Sequence, residues 1–527
     1  MSILPLNRDN VWRVIRGLQG FFKGLDEEIE VYVASQIAGL PTLLIGGHGT
    51  GKTTLVKAFY NTLVVREKEG YRPLKVFAML LKERHTPMDV FYSYDLPALM
   101  QGREKIVPKA IDAEAVFLDE VFANQLVLSA LKDFLEERVY DRYRARWLFF
   151  TGGTNPPNQY YQTVLQLTNL ADLDRFDVTI PVESRLGVDL FEIAEAFAEA
   201  DDRRPEPSIK AKLDVSSIRE VRKQIFSIPV ENKAKSMVTL FAHVYNACIF
   251  EDEDKERHFV DKFSVLSEIP CPRCTFRGHL CSKFAIAPTR LIRSTLSLAK
   301  ALAWLYGKKT VTHDLALKAL KYTLPLRLVV IDEAYKTKLA SLKEASGTAV
   351  KEFTKWFTDH EQLFKGFKKC VSLLKQGKYS DATKRLSDLA YMYNNDPIAL
   401  SLIHSFEQGL GRACDEIESA LKATNDVNLL RRVADTDNDF KEIAEKRLKE
   451  ALGLTVVVLE GDDAKKVLNT LFKRGFIGVK EFDAMCITLA GFYNENTWTL
   501  RDDLKVTVKV NKVVLEGSRE ALDRLLK

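Results

Sequence analysis

The residues Gly46-Gly47-His48-Gly49-Thr50-Gly51-Lys52-Thr53 satisfy the pattern G-x-x-x-x-G-K-[ST] in full. Glycines at this density let backbone N–H groups curl around an anion, and a helix starting directly behind them adds a favourable dipole. The chemistry that this spacing suits is the binding of ATP. Lys52 reaches the β- and γ-phosphates, and the Thr53 hydroxyl takes one position on Mg2+. Thr54 continues the run into the first turn of the helix.

Two further groups fit hydrolysis of the bound nucleotide. Ala115-Val116-Phe117-Leu118 ends in Asp119-Glu120. An aspartate there holds the Mg2+ shell, and the adjacent glutamate orients and polarises the attacking water. Asn155, in Thr151-Gly152-Gly153-Thr154-Asn155-Pro156, is placed to sit beside the γ-phosphate, although an asparagine before proline is also a common turn residue. Cys271, Cys274, His279 and Cys281 form a different constellation, four soft or borderline ligands close together. The Cys-x-x-Cys knuckle is a half-site for tetrahedral Zn2+ that His279 and Cys281 could complete. Their spacing matches no standard finger. Unliganded thiols or an iron–sulfur site using three of them stand beside structural zinc, which ligand type and a reducing compartment favour.

These residues need rigid elements to position them. Leu43-Leu44-Ile45 reads as a buried strand before the glycine loop, and Leu55, Val56 and Phe59 give the following helix an apolar face. Ala115–Leu118, Trp147–Phe150 and Val178–Pro181 read as further strands. Parallel-type strands separated by helices imply a three-layer α/β domain with its ligand at the strand C-termini.

The segments carrying these residues resemble those of the MoxR family of AAA+ ATPases over residues 24 to about 330. The most specific stretch is AVFLDEVFANQLVLSALKDFLEERVY (115–140). TPMDVFYSYDLPALMQG (86–102) and FSIPVENKAKSMVTLFAHVY (226–245) add to it. The resemblance implies an AAA+ three-layer α/β P-loop domain with a helical lid. It also implies that Arg175, in Leu-Asp-Arg-Phe, is offered to the ATP of a neighbouring subunit, and that Arg290 is a lid arginine contacting phosphate from its own subunit. The hairpin from Tyr140 to Arg146 is shorter than the family pattern, and His48 stands where the family often carries proline.

The expected organisation is a nucleotide-binding core at 1–190, a helical lid with a cysteine-cluster insertion at 191–331, a helical stalk at 332–453 and a small α/β domain at 454–527. In the last of these, TVVVLEGDDAKKVLNTLF (455–472) and KVVLEGSREALDRLL (512–526) both read as a strand followed by an amphipathic helix. TWTLRDDLKVTVKV (497–510) alternates like a strand or hairpin between them.

With 527 residues, the chain is long enough for several cores. A 46% hydrophobic and 28% charged composition is that of a globular protein, which excludes low-complexity and collagen-like classes. A formal charge of +5 neither demands nor excludes a nucleic-acid partner. No run approaches the ~20 apolar residues of a membrane span, and the first residues lack the layout of a secretory signal. Cytoplasmic location and no membrane insertion are the expectations.

The function that follows is an ATP-hydrolysing, hexameric ring that remodels or matures a protein complex. The resemblance implies that its partner carries a von Willebrand factor A domain. The alternatives are a nucleic-acid-stimulated motor, for which Arg142-Tyr143-Arg144-Ala145-Arg146 offers phosphate contacts, and a nucleotide-gated scaffold.

Overall fold

Five short apolar runs pair side by side to form the central sheet. They are β1 (Thr42–Ile45), β2 (Val76–Leu80), β3 (Ala115–Asp119), β4 (Phe149–Thr154) and β5 (Val178–Pro181). Their order is β5-β1-β4-β3-β2, and every pair is parallel. Thr42 lies opposite both Val178 and Thr151, and Ala115 opposite both Val76 and Phe149. Ile45, Asp119 and Thr154 therefore end at one edge of the sheet. The computed structural model describes residues 2–47, 49–156, 174–182, 207, 209–251, 257–262, 278–339, 341–436, 438–490, 495–500 and 504–526.

β1, β4 and β5 are buried along their whole length, which is why they read as continuous apolar runs and not as alternating ones. Successive side chains still point to opposite faces. Leu44, Phe117 and Phe149 pack with α1 (Asp26–Ala38) and α2 (Lys52–Asn61), while Leu43, Val116, Leu118 and Phe150 pack with α3 (Gln125–Glu136). Two cores on either side of one sheet make the three layers of an α/β P-loop fold.

The strand expected at Trp147–Phe150 begins two residues later. Trp147 is instead buried in the α3-side core, and its indole N–H donates to the Phe134 carbonyl at 3.2 Å. A second, four-stranded sheet has no counterpart among the sequence-based expectations. It joins Ser2–Pro5, Ala211–Asp214, Leu63–Glu67 and Gly70–Pro73 in that order.

Beyond the core lie α4 (Ile218–Ser227), the helix Asn232–Asn246, α5 (Pro288–Leu305) and α6 (His313–Thr323). A small antiparallel pair, Phe284–Ile286 with Leu328–Val330, and the helix Leu342–Asp359 follow. The chain resolves into two compact units, the first comprising Met1–His360 with Asn395–Ser401, and the second Glu361–Asn394 with Leu402–Lys527.

In the second unit, the helices Glu361–Lys375 and Tyr379–Met392 turn back on each other at Gly377, whose φ of 73° favours glycine. Their close approach is set by Gly366, where a Cβ would come within 2.7 Å of Leu389. The unit ends in an antiparallel sheet of Leu454–Glu460, Lys512–Ser518, Lys505–Lys509 and Asn496–Thr499, packed with three helices. Among the described residues, no helix is long and apolar enough to cross a membrane.

Candidate active site

The glycine loop leaves the end of β1 and enters α2 through Gly51, whose φ of 85° needs a residue without a Cβ. Gly46 answers a different demand. A Cβ there would meet the Val182 carbonyl oxygen at 2.2 Å, so only glycine lets the loop pass beneath β5. Gly46 N–H also donates to the Thr154 carbonyl at 3.1 Å, tying the loop to the end of β4. Gly47, Gly49 and Thr50 complete the described loop, with the Thr50 hydroxyl donating to the Gly47 carbonyl at 2.9 Å. His48 lies outside the described residues. Thr54 is exposed in the first turn of α2.

Lys52 is 7% exposed and turns back over the loop. Its Nζ donates to the carbonyls of Gly46 and Gly47 and to Asn155 Oδ1, the last two at 3.0 Å. Burial pulls its pKa below the ordinary lysine value, against the opposing pull of Asp119 and Glu120. One residue on, the Thr53 hydroxyl donates to Asp119 Oδ2 at 2.7 Å. The loop and the end of β3 thus bring hard oxygen donors together, a set suited to Mg2+, which takes one or two carboxylates with phosphate and water oxygens.

Glu120 sits at φ 55°, a left-handed conformation uncommon for a residue with a side chain. That turn lets its N–H bond to Asp119 Oδ1 at 3.1 Å and swings its carboxylate to Asn155, whose Nδ2 donates to Glu120 Oε1 at 2.5 Å. Strain of this kind is held where the surrounding structure over-determines it. Behind Asn155, β4 is pinned by Thr151, whose hydroxyl bonds Tyr32 at 3.0 Å and Tyr60 at 2.9 Å. Lys52, Thr53, Asp119, Glu120 and Asn155 therefore converge from three strand ends.

Gly153 belongs with this group although sequence reasoning passed over it. A Cβ there would lie 2.5 Å from Asp119 Oδ1. A glycine inside a strand, two residues before Asn155, was the available signal.

Arg175 and Arg290 lie elsewhere. Arg175 precedes β5, at the N-terminal edge of the sheet, about 10 Å of β-strand from the glycine loop. Its side chain is 9% exposed, pairs with Glu136 at the end of α3, and keeps a buried Nε that has no hydrogen-bond partner among the described residues. Arg290, in the first turn of α5, bonds the same Glu136 at 2.7 Å and Asp174 at 3.3 Å. The structure brings Arg290 to Arg175 and not to Lys52, which differs from the contact expected within one subunit. Burial and the neighbouring Arg290 hold the Arg175 pKa below its ordinary value.

The loop carrying Arg175 is fixed by Arg327, which is almost fully buried. Its guanidinium donates to Asp174 Oδ1 at 2.5 Å and to the carbonyls of Thr323, Phe176 and Asp174 at 2.8, 3.0 and 3.1 Å. Ser294 of α5 adds a bond to Asp177 at 2.6 Å. Arg327 gave no sequence signal, because its acceptors are mostly backbone oxygens.

Of the cysteine cluster, Cys271 and Cys274 lie outside the described residues. His279 precedes and Cys281 sits within the short 3-10 turn Leu280–Ser282, and Cys281 is buried. Among the described residues, no group of His, Cys, Asp and Glu is placed to hold a metal ion.

Residues 9–218 match the family described as the MoxR domain in the MoxR-vWA-beta-propeller ternary systems. Structural protein ORF618 of Acidianus two-tailed virus is 23% identical over 198 residues, which cover 36% of this chain and 30% of that protein's length. A crystal structure of a presumed ATPase from Cytophaga hutchinsonii superposes with a TM-score of 0.47 at 15% identity, over 65% of this chain and 94% of that one. The family match spans the glycine loop, the Asp119-Glu120 strand end, Asn155 and Arg175. Over residues 9–218 the chain carries a MoxR domain.

Proposed function

We propose that the protein hydrolyses ATP at the Lys52–Asp119–Glu120–Asn155 site and uses the cycle to remodel or mature a protein complex. The observation that carries the hydrolytic part is the Asn155–Glu120 bond set beside Lys52 and the Thr53–Asp119 pair. Lys52 and the loop N–H groups bind the phosphates. Thr53 and Asp119 would hold Mg2+, which supplies charge neutralisation on the phosphate oxygens. Glu120, aimed by its backbone turn and by Asn155, orients the attacking water and draws on its proton.

Arg175 acts on the ATP of a neighbouring subunit, so activity requires an assembled homo-oligomer, a hexamer by family resemblance. This is supported by its position at the sheet edge away from its own glycine loop. Arg290 shares that edge, and we assign it to the same neighbouring phosphates. Its pairing with Glu136 beside Arg175 supports this reading over a contact within one subunit. A guanidinium supplied across an interface links turnover to assembly.

The description of the matched family supports a von Willebrand factor A domain protein as the partner. A structural zinc at Cys271, Cys274, His279 and Cys281 rests on ligand type alone, and metal analysis of the purified protein tests it. A cytoplasmic location remains the reading of the sequence.

Steady-state ATP turnover with and without single- and double-stranded DNA and RNA tests the remodelling reading. Turnover indifferent to nucleic acid is the expected result. Strong stimulation would make the protein a nucleic-acid motor, and nucleotide-dependent assembly without turnover would make it a scaffold.

A further inference from the structure

The edge of the central sheet opposite the glycine loop opens into a cleft of about 1320 Å3. Lys75, Glu114 and Leu148, each just ahead of β2, β3 or β4, form part of its wall. Seven arginines and lysines line it against three carboxylates. Two of those carboxylates are already engaged. Glu114 takes Arg72 through both oxygens at 2.7 and 2.8 Å, and Asp112 pairs with Lys75 at 3.2 Å and Arg146 at 3.0 Å. Glu220 is exposed at the rim.

Among the described residues, four guanidinium groups of the cleft remain without a carboxylate: Arg138, Arg144, Arg219 and Arg222. Arg138 holds a strained φ of 57° immediately after α3, lies 4.0 Å over the Trp147 ring and donates to the Trp147 carbonyl at 2.9 Å. Arg222 of α4 donates to the carbonyls of Leu148 at 2.6 Å and Ile37 at 2.9 Å. Backbone oxygens therefore orient both groups but do not neutralise them. Burial, and then the nearby Arg138 and Arg219, pull the Arg222 pKa down to about 9. Burial, and then Arg144 and Arg219, lower that of Arg138. Cations crowded at this cost are the arrangement of an anion receptor.

The cleft's size and floor indicate which anion. It exceeds the ~300–1,000 Å3 of a small-molecule pocket and suits an extended segment. Val65, Leu148, Val215 and Ile218 give it an apolar floor, and among the described residues no Phe, Tyr or Trp lines it. Binding of single-stranded nucleic acid relies on aromatic platforms for base stacking. Carboxylates meeting arginine forks, with apolar side chains between them, need none. We propose that this cleft binds an acidic, partly apolar segment of a partner protein, with Arg138 and Arg222 fixing a carboxylate deep in the cleft and Arg144 and Arg219 gripping at the rim.

The proposal deepens the protein-remodelling reading by naming the chemistry of the bound protein, and it rests on that reading for its purpose. Binding itself needs no hydrolysis, so the two fail separately. The test is fluorescence anisotropy of the full chain with a labelled peptide rich in Glu and Leu, its Gln-for-Glu counterpart, and labelled oligo-dT. ATP turnover and melting temperature are measured on the same samples. The Glu peptide is expected to bind about tenfold or more tightly than the Gln peptide. The double variant R144E/R219E, at two exposed positions, should erase that preference while leaving turnover and melting unchanged. Equal binding of the two peptides, or a preference that survives in the variant, overturns the proposal. Oligo-dT binding lost in the variant, without any peptide preference, also overturns it and makes the cleft a nucleic-acid groove.

Discussion

At the scale of single residues, the candidate site depends on backbone positions as much as on side-chain chemistry. Glu120 reaches Asn155 because its backbone adopts a left-handed turn, and Asp119 keeps its place because Gly153 leaves room. Gly153→Ala puts a methyl group where Asp119 Oδ1 now lies, and ATP turnover should fall on the order of a hundredfold, as displacement of about 1 Å at a reacting centre can cause. Unchanged steady-state turnover in that variant would remove Gly153 from the account. The glycine loop, Asp119-Glu120 and Asn155 were all legible in the sequence, since close approach to phosphate permits few residue types. Gly153 and Arg327 were not, because one acts by lacking a side chain and the other by meeting backbone carbonyls.

At the scale of elements, two junctions can be tested. Arg327 ties the Asp174–Asp177 loop to the end of α6, and Arg327→Met would leave half-buried Asp174 with only its Arg290 contact and several carbonyls without this donor. A loss of about 3–5 kcal/mol is expected for breaking such a pair, read as a shift in denaturant midpoint. A shift within error would show that the loop is held otherwise. The second junction joins the C-terminal end of the helix Leu342–Asp359 to the start of the helix Pro397–Ala423. His360 bonds Asp396 at 2.7 Å and the Trp356 carbonyl at 2.9 Å, while Asp396 accepts from the N–H groups of Ile398 and Ala399.

Burial alone would lower the His360 pKa, but its bonds to Asp396 and the Trp356 carbonyl outweigh it and raise the value above 6.5. Burial would likewise raise Asp396, yet His360 and the backbone amides hold it below 3.8. A raised imidazole contributes stability that is complete below its unfolded value and is lost as pH rises through the folded one. The carboxylate's contribution is present above its unfolded value and is lost as pH falls through the folded one. Wild type should therefore exceed His360→Gln in denaturant midpoint more at pH 6 than at pH 9. An equal gap at both would mean that the imidazole is not charged in the folded protein.

The second sheet shows why sequence reading stops at elements. Ser2–Pro5 pairs with Ala211–Asp214 across some two hundred residues. Runs of four residues carry too little periodicity to announce a strand, and nothing local announces a distant partner. The five central strands were legible because burial on both faces left apolar runs, although β4 was read two residues early.

At the scale of the molecule, the same limit governs Arg290. Its segment was read as lid from the family resemblance, but only the packing of α5 against the Asp174 loop decides which end of the sheet it reaches. With Arg175 and Arg290 at one edge and Lys52 at the other, the site as proposed draws on two subunits. Subunits carrying Arg175→Ala mixed with subunits carrying Glu120→Gln should recover turnover that neither variant shows alone, since some interfaces then join an intact Glu120 to an intact Arg175. Mixtures as inactive as their parents would mean that Arg175 serves its own subunit.

Hydrolysis of ATP is proposed at the site built by Lys52, Asp119, Glu120 and Asn155. Its most direct test is Mg2+-dependent steady-state ATP turnover of the full chain, compared with Glu120→Gln in parallel with nucleotide binding. Measurable turnover in the wild type, reduced by about a hundredfold or more in the variant with binding retained, is the predicted result. Equal turnover in the two, or none in the wild type under assembling conditions, would contradict it.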